Sequence, residues 1–181
     1  MAMQKIMFND KYGLTQAVLN GRKTMTRRII ESKTDAEGNI IFPAPKYKIG
    51  EVIAIAQSYS TIKNECGVEK IPSHISENSP GYRNKMFVSA KNMPHHVKIT
   101  GIKRERLQDI SDNDCLREGI IKGQVGSAET HYMDAYYPSG MSDEPCITPQ
   151  RAFALLIDKV SGNGTWDSNP YVYAYEFEVM D

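Results

Sequence analysis

Disulfide chemistry is the first thing this sequence lacks. Its 181 residues hold three cysteines, Cys66, Cys115 and Cys146, an odd number at wide spacing with no paired motif. That excludes a disulfide-scaffolded secreted domain and fits a reducing, cytoplasmic setting. No apolar run approaches the roughly 20 residues of a membrane span, so no membrane partner is expected. The first ten residues set Lys5 beside a short Ile6–Phe8 run and carry no signal-peptide core. His74, His95, His96 and His131 are not spaced as metal ligands, and no metal or cofactor is expected. Gly119, Gly123 and Gly126 miss the dinucleotide-loop spacing, as do Gly162 and Gly164. Gly126-Ser127 lacks the flanks of a nucleophile elbow. Surplus charge is missing as well: 22 basic residues face 22 acidic ones, which argues against a protein that coats nucleic acid non-specifically. No internal repeat is visible.

The balance of charge conceals a gradient. Residues 1–50 carry nine basic and four acidic side chains, residues 51–106 nine and five, and residues 107–181 four and thirteen. Either the segments interleave and neutralise one another, or one face is positive for a phosphate-bearing partner. The densest basic run is Arg22-Lys23-Thr24-Met25-Thr26-Arg27-Arg28.

Pattern and punctuation give the elements. Strands are predicted at Lys5–Phe8, Thr24–Ile30, Val52–Ala56, around Val97–Ile102, and at Tyr171–Val179. Helices are predicted at Leu14–Asn20, stopped by Gly21; after the cap Ser111, closed by Gly119; and from Thr148-Pro149 to Val160. The stretches at about 61–91 and 123–147 lose periodicity and read as loop-like inserts in a single domain. Short strands without strand–helix–strand regularity favour an α+β protein on a small mixed or antiparallel barrel with about three flanking helices.

Three features carry chemistry. Glu118 falls in the last turn of its helix, where the macrodipole disfavours an anion by about 0.3–1 kcal/mol. It is either solvated or Arg-paired there, or it is a carboxyl set among helix-end carbonyls and poised for proton transfer or hydrogen bonding to a base edge. Lys23 and Thr26 pair an amine with a hydroxyl, a combination that activates the hydroxyl when burial or cationic neighbours lower the amine's pKa. Arg27 and Arg28 are such neighbours, and Arg22 follows a helix end where a cation is stabilising. Residues three apart on a strand face opposite ways, so the pair converges only if a turn or bulge follows Gly21. The stripe Tyr171, Tyr173, Tyr175, Phe177 is either a core face or a base-stacking platform.

Gly21-Arg22-Lys23-Thr24-Met25-Thr26-Arg27-Arg28 resembles the Gly-x-Lys-x-x-(Thr or Glu)-x-Arg signature of ASCH domains, within the PUA-like group. Asp10–Thr15, Tyr47–Glu51, Met93-Pro94, Arg106–Ser111, Glu118–Ile120 and Trp166–Pro170 extend the likeness, in order, to a prophage-borne branch. Where that family commonly carries Val-Arg-Glu, this chain has Ile55-Ala56-Gln57. The resemblance implies a β-barrel with a cleft lined by the signature Lys and Arg, and RNA binding. One bacterial branch deacylates cytidine acylated on its exocyclic amine with a Lys, a Thr and a Glu; those positions match Lys23, Thr26 and Glu118, and Arg28 matches the signature arginine.

The resulting expectation is a protein binding RNA or a modified nucleoside through Lys23, Thr26, Arg28 and Glu118, with Arg22 and Arg27 as further substrate-binding cations. The alternative is an amidohydrolase in which Lys23, Thr26 and Glu118 are catalytic. A third reading is a prophage accessory module that binds a protein partner through the two inserts.

Overall fold

Asn20-Gly21 sets the course of the amino-terminal half. Helix α1 (Leu14–Leu19) stops there, with Gly21 at φ +68° letting the chain reverse, and strand β2 (Met25–Ile29) leaves the turn. In the computed structural model, which describes residues 3–141 and 143–180, β2 pairs antiparallel with the last strand, β9 (Tyr171–Met180), in the register Thr26 opposite Tyr175 and Arg28 opposite Tyr173. On its other side β9 pairs along almost its whole length with β6 (His96–Arg106), with a bulge between Ile99 and Gly101. Strand β5 (Val52–Ile55) continues the sheet antiparallel, and β1 (Lys5–Ile6) closes the order β1-β5-β6-β9-β2 as a parallel neighbour of β5.

The expected α+β class is what forms. The main sheet is open: no strand ladder joins its edges β1 and β2 among the described residues. Arg28 spans the gap instead, its guanidinium donating to the carbonyl of Met7 at 2.5 Å. Two hairpins stand apart from this sheet, β3–β4 (Lys33–Thr34 and Ile40–Ile41) and β7–β8 (Ile121–Val125 and Met133–Tyr137).

Helix α4 (Pro149–Ser161) presses Ala152, Phe153, Leu156 and Ile157 onto a core that includes Ile53, Val97, Ile99, Leu107, Val172, Tyr175 and Phe177. Thr148 caps it from the expected position, its hydroxyl accepting from the Arg151 N–H. The blocks Arg106–Ser111 and Trp166–Pro170, distant in sequence, dock on each other. The Asn169 side-chain oxygen accepts from the Gln108 N–H at 2.9 Å, and the Trp166 carbonyl accepts from the Gln108 amide at 2.9 Å. Trp166 lies in the short helix α5 (Thr165–Ser168).

Both inserts are more ordered than a loop reading allows. Within 61–91 runs most of helix α2 (Tyr59–Cys66), capped by Ser58, with Tyr59 and Ile62 buried against Ala54, Ala56, Val88 and Met93. Its apolar spacing is too sparse to signal a helix, and two of its partners, Val88 and Met93, come from beyond the helix's own neighbourhood. The Lys5 amine further ties the segment down by donating to the carbonyls of Lys85, Met86 and Val88. The 123–147 stretch holds the β7–β8 hairpin, whose largely exposed faces leave no burial pattern to read.

Helix α3 (Asp112–Arg117) carries Glu118 at its end, and Ser111 caps its start by accepting from the Asp114 N–H at 3.1 Å. Ser111→Ala is expected to cost about 1 kcal/mol, the usual worth of such a cap, read as a lower urea midpoint at unchanged slope.

Candidate functional site

Lys23 sits between the Gly21 turn and the first residue of β2, so strand alternation does not govern it. Its backbone N–H donates to the Ala17 carbonyl, and the next N–H, that of Thr24, donates to the Arg117 carbonyl. These two bonds stitch the segment between the ends of α1 and α3. The convergence of Lys23 with Thr26 thus has the turn it requires, and both line one cleft.

The Lys23 side chain is buried, and its amine lies 2.6 Å from Glu118 Oε2 and 2.8 Å from the Glu118 carbonyl oxygen. The ammonium thus neutralises the carboxylate and also caps the carbonyl end of α3, where a cation is favoured. Glu118 is not a solvated surface acid. Its other oxygen accepts from Arg27 at 3.2 Å, so cations, and not helix-end carbonyls alone, surround the carboxyl.

Arg27 does not serve the cleft as a free cation. Its Nε and one terminal nitrogen reach Glu105 Oε1 at 3.0 and 2.6 Å, and the latter nitrogen lies 3.2 Å from Asp114. With every donor nitrogen committed to a carboxylate, it is a positioning group for Glu118. Lys103 completes the chain at 2.6 Å from Glu105 Oε2, giving alternating signs from Lys103 through Glu105, Arg27 and Glu118 to Lys23. Arg117 braces the same layer between Asp114 and Glu176. Arg22 turns elsewhere, donating to the Gly119 carbonyl at 2.6 Å and approaching Ser139, and does not line the cleft.

Thr26 and Arg28 lie two apart on β2 and so share a face. Thr26 is buried against the cleft, and its hydroxyl makes no hydrogen bond to another described residue. Arg28 is exposed and donates to the Met7 carbonyl, its one side-chain hydrogen bond among the described residues. The ring of Phe8 lies 5.9 Å from both the Lys23 amine and the Arg28 guanidinium. Opposite this polar floor stands an apolar wall of Leu14, Phe153, Leu156 and Ile157. The cleft volume, about 270 Å³, is below the usual range for drug-sized ligands and suits a small group.

Electrostatics set the proton affinities. Burial lowers the Lys23 pKa; Glu118 opposes that, while Arg28 and Arg27 push the same way as burial. For Arg27 burial pulls down, but Glu118 and Glu105 outweigh it and raise the pKa. Cys115, on α3 behind this layer, is pushed up to about 12 by burial and is an inert thiol.

Lys23, Thr26, Arg28 and Glu118, singled out from the sequence, line one cleft. Sequence reasoning missed Glu105 and Asp114 as site partners, because an acid in a charged strand or a helix's first turn looks solvated. It assigned Phe153, Leu156 and Ile157 to the core, which they also serve.

Glu118→Ala leaves the buried ammonium unpaired and is expected to cost about 3–5 kcal/mol in urea unfolding, with Lys23→Met/Glu118→Ala recovering much of the loss. Because folding lowers the Lys23 pKa, the unfolded chain binds more protons between the folded and ordinary lysine values. Stability from this amine therefore rises with pH through that window. Arg28→Gln removes one downward push, so the Lys23 titration followed by side-chain nitrogen NMR is expected to move up towards the ordinary lysine range.

No family model and no curated protein matches the chain. Among solved structures it is similar to the crystal structure of protein EF3133 from Enterococcus faecalis V583, family-model DUF984, at 14% identity and a TM-score of 0.45, covering 100% of this chain and 82% of that one.

Proposed function

We propose that the chain is an ASCH-type, PUA-like domain that binds the base of a modified nucleoside, free or within RNA, in the Lys23–Glu118 cleft. The observation that carries this reading is the meeting of an amine, a hydroxyl, a guanidinium and a carboxylate around one small hollow with an aromatic and aliphatic wall. An aromatic base fits such a lining: its faces meet Phe8 and the α4 side chains, and its edge meets donors and an acceptor. On this reading Arg28, bridging the edges β1 and β2, stands where a PUA-like barrel would close.

Titration of cytidine, N4-acetylcytidine and short single-stranded RNA at low and moderate salt tests the proposal. Saturable binding, weakened about tenfold or more by Arg28→Gln, is the expected outcome, since a hydrogen bond to a charged group is worth about 1.5–3 kcal/mol. No saturable binding of any of them overturns it.

A second reading, amide hydrolysis of an N4-acylated cytidine, is favoured by the Thr26 hydroxyl, which lines the cleft without a hydrogen-bond partner among the described residues. The mechanism uses the pair that stands 2.6 Å apart, Lys23 and Glu118, in its neutral form of one amine and one carboxylic acid. The amine takes the Thr26 proton as the hydroxyl oxygen bonds to the acyl carbon. The acid gives its proton to the departing exocyclic nitrogen as the C–N bond breaks. Water then cleaves the Thr26 ester, releasing the carboxylic acid, and Arg28 is available to the oxyanion. Release of cytidine from N4-acetylcytidine, followed by absorbance, is expected to fall at least about a hundredfold in Thr26→Val and Lys23→Met. Hydrolysis that survives either change excludes this mechanism.

A further inference from the structure

Arg28 belongs to two hollows. Beside the small cleft lies a larger one of about 470 Å³, and the two share Met7, Arg28 and Ile29. The walls of the larger hollow are aromatic and basic, with Tyr47, Tyr173 and Tyr175 set among Lys5, Arg28 and Lys46, and Glu31 as the acid. The Lys5 amine is spent on backbone carbonyls, which leaves Arg28 and Lys46 as the cations on offer.

The tyrosine hydroxyls are engaged already. Tyr173 donates to the Pro43 carbonyl at 2.7 Å, and Tyr175 accepts from the Lys46 N–H at 3.0 Å. These bonds hold the polar ends of the two rings on the 43–46 segment; Tyr175 is buried behind, so the ring surface offered to a guest is that of Tyr173. The character of the surface continues past the rim. Phe42 meets Tyr171 edge-on at 4.8 Å, with the Arg104 guanidinium 4.1 Å from the Phe42 ring centre and Arg106 3.9 Å from that of Tyr171. Aromatic faces alternating with guanidinium groups suit a ligand that repeats flat rings and phosphates.

We infer that the larger hollow is a second nucleotide subsite and that the ligand is a dinucleotide step of single-stranded RNA. This rests on the nucleoside reading of the smaller cleft and extends it. One base occupies the Lys23–Glu118 cleft, the linking phosphate lies on Arg28 between the hollows, and the neighbouring base packs on Tyr173, the partly exposed ring of the three. A free nucleoside would leave the aromatic hollow empty, whereas a dinucleotide uses both hollows and the cation they share.

The test compares cytidine, 5′-CMP, 3′-CMP and the dinucleoside monophosphates CpA and ApC in titrations at low and moderate salt. At least one dinucleoside monophosphate is expected to bind about tenfold or more tightly than cytidine, since stacking one base is worth that much. The gain should shrink with salt. Tyr173→Leu keeps bulk but removes the aromatic face. It is expected to abolish most of the gain while leaving cytidine affinity unchanged, and thermal unfolding checks that the variant is folded. Cytidine binding with no gain for either dinucleotide overturns this subsite and leaves the nucleoside reading standing. A gain that persists in a folded Tyr173→Leu variant also overturns it. Binding of neither class overturns this inference, and if N4-acetylcytidine and short RNA also fail to bind, the nucleoside reading falls with it.

Discussion

A lysine and a glutamate, both nearly sealed from water, hold this site together. Lys23 and Glu118 are 95 residues apart, and their contact joins the turn after α1 to the end of α3. Taking either charge out of water alone would cost several kcal/mol, so the arrangement persists only because each is answered. Glu118 meets two cations, Arg27 meets three carboxylates, and Glu105 is closed off by Lys103 at the surface. The result is a chain of alternating signs running from solvent into the cleft, in which no member's geometry is independent of its neighbours.

That chain divides the labour of the fold. The sheet supplies position: β2, paired with β9, presents Thr26 and Arg28 on one face while Arg27 anchors the electrostatics behind it. The helices supply the boundary. Phe153, Leu156 and Ile157 both pack α4 onto the sheet and wall the cleft, so the same apolar atoms that stabilise the domain exclude water from the polar floor. Inside such a wall an ion pair interacts more strongly than it would in water.

Much of this was legible in the sequence where a local rule was obeyed or broken. Caps at Ser111 and Thr148, the stop at Gly21 and the long alternating strand at the carboxyl end obey rules and are where expected. Glu118 broke one, sitting as an anion at a carbonyl end, and the compensating ammonium explains why. The rest depended on information that no short window holds. Helix α2 buries only Tyr59 and Ile62, and its partners come from Ala54, Val88 and Met93. The β7–β8 hairpin is mostly exposed, so no alternation marks it. Arg22 and Arg27 are near neighbours of like charge; the strand and the turn send one outwards to Gly119 and the other inwards to Glu105. The tyrosine stripe divides, with Tyr175 and Phe177 in the core and Tyr173 beside an open hollow.

The pairing of Thr26 with Tyr175 and Arg28 with Tyr173 also makes the site all-or-none with respect to chain length. Slide β2 by one residue against β9 and every side chain swaps faces: Thr26 and Arg28 go behind the sheet, and Arg27 is torn from its carboxylates. Insertions and deletions between Gly21 and Arg28 therefore have no mild versions. The same edits at the exposed tip of the β7–β8 hairpin, where no member of the charge chain resides, leave the floor of the cleft untouched. Changes of length are thus absorbed at that tip and forbidden along β2, where counting fixes every side chain's face.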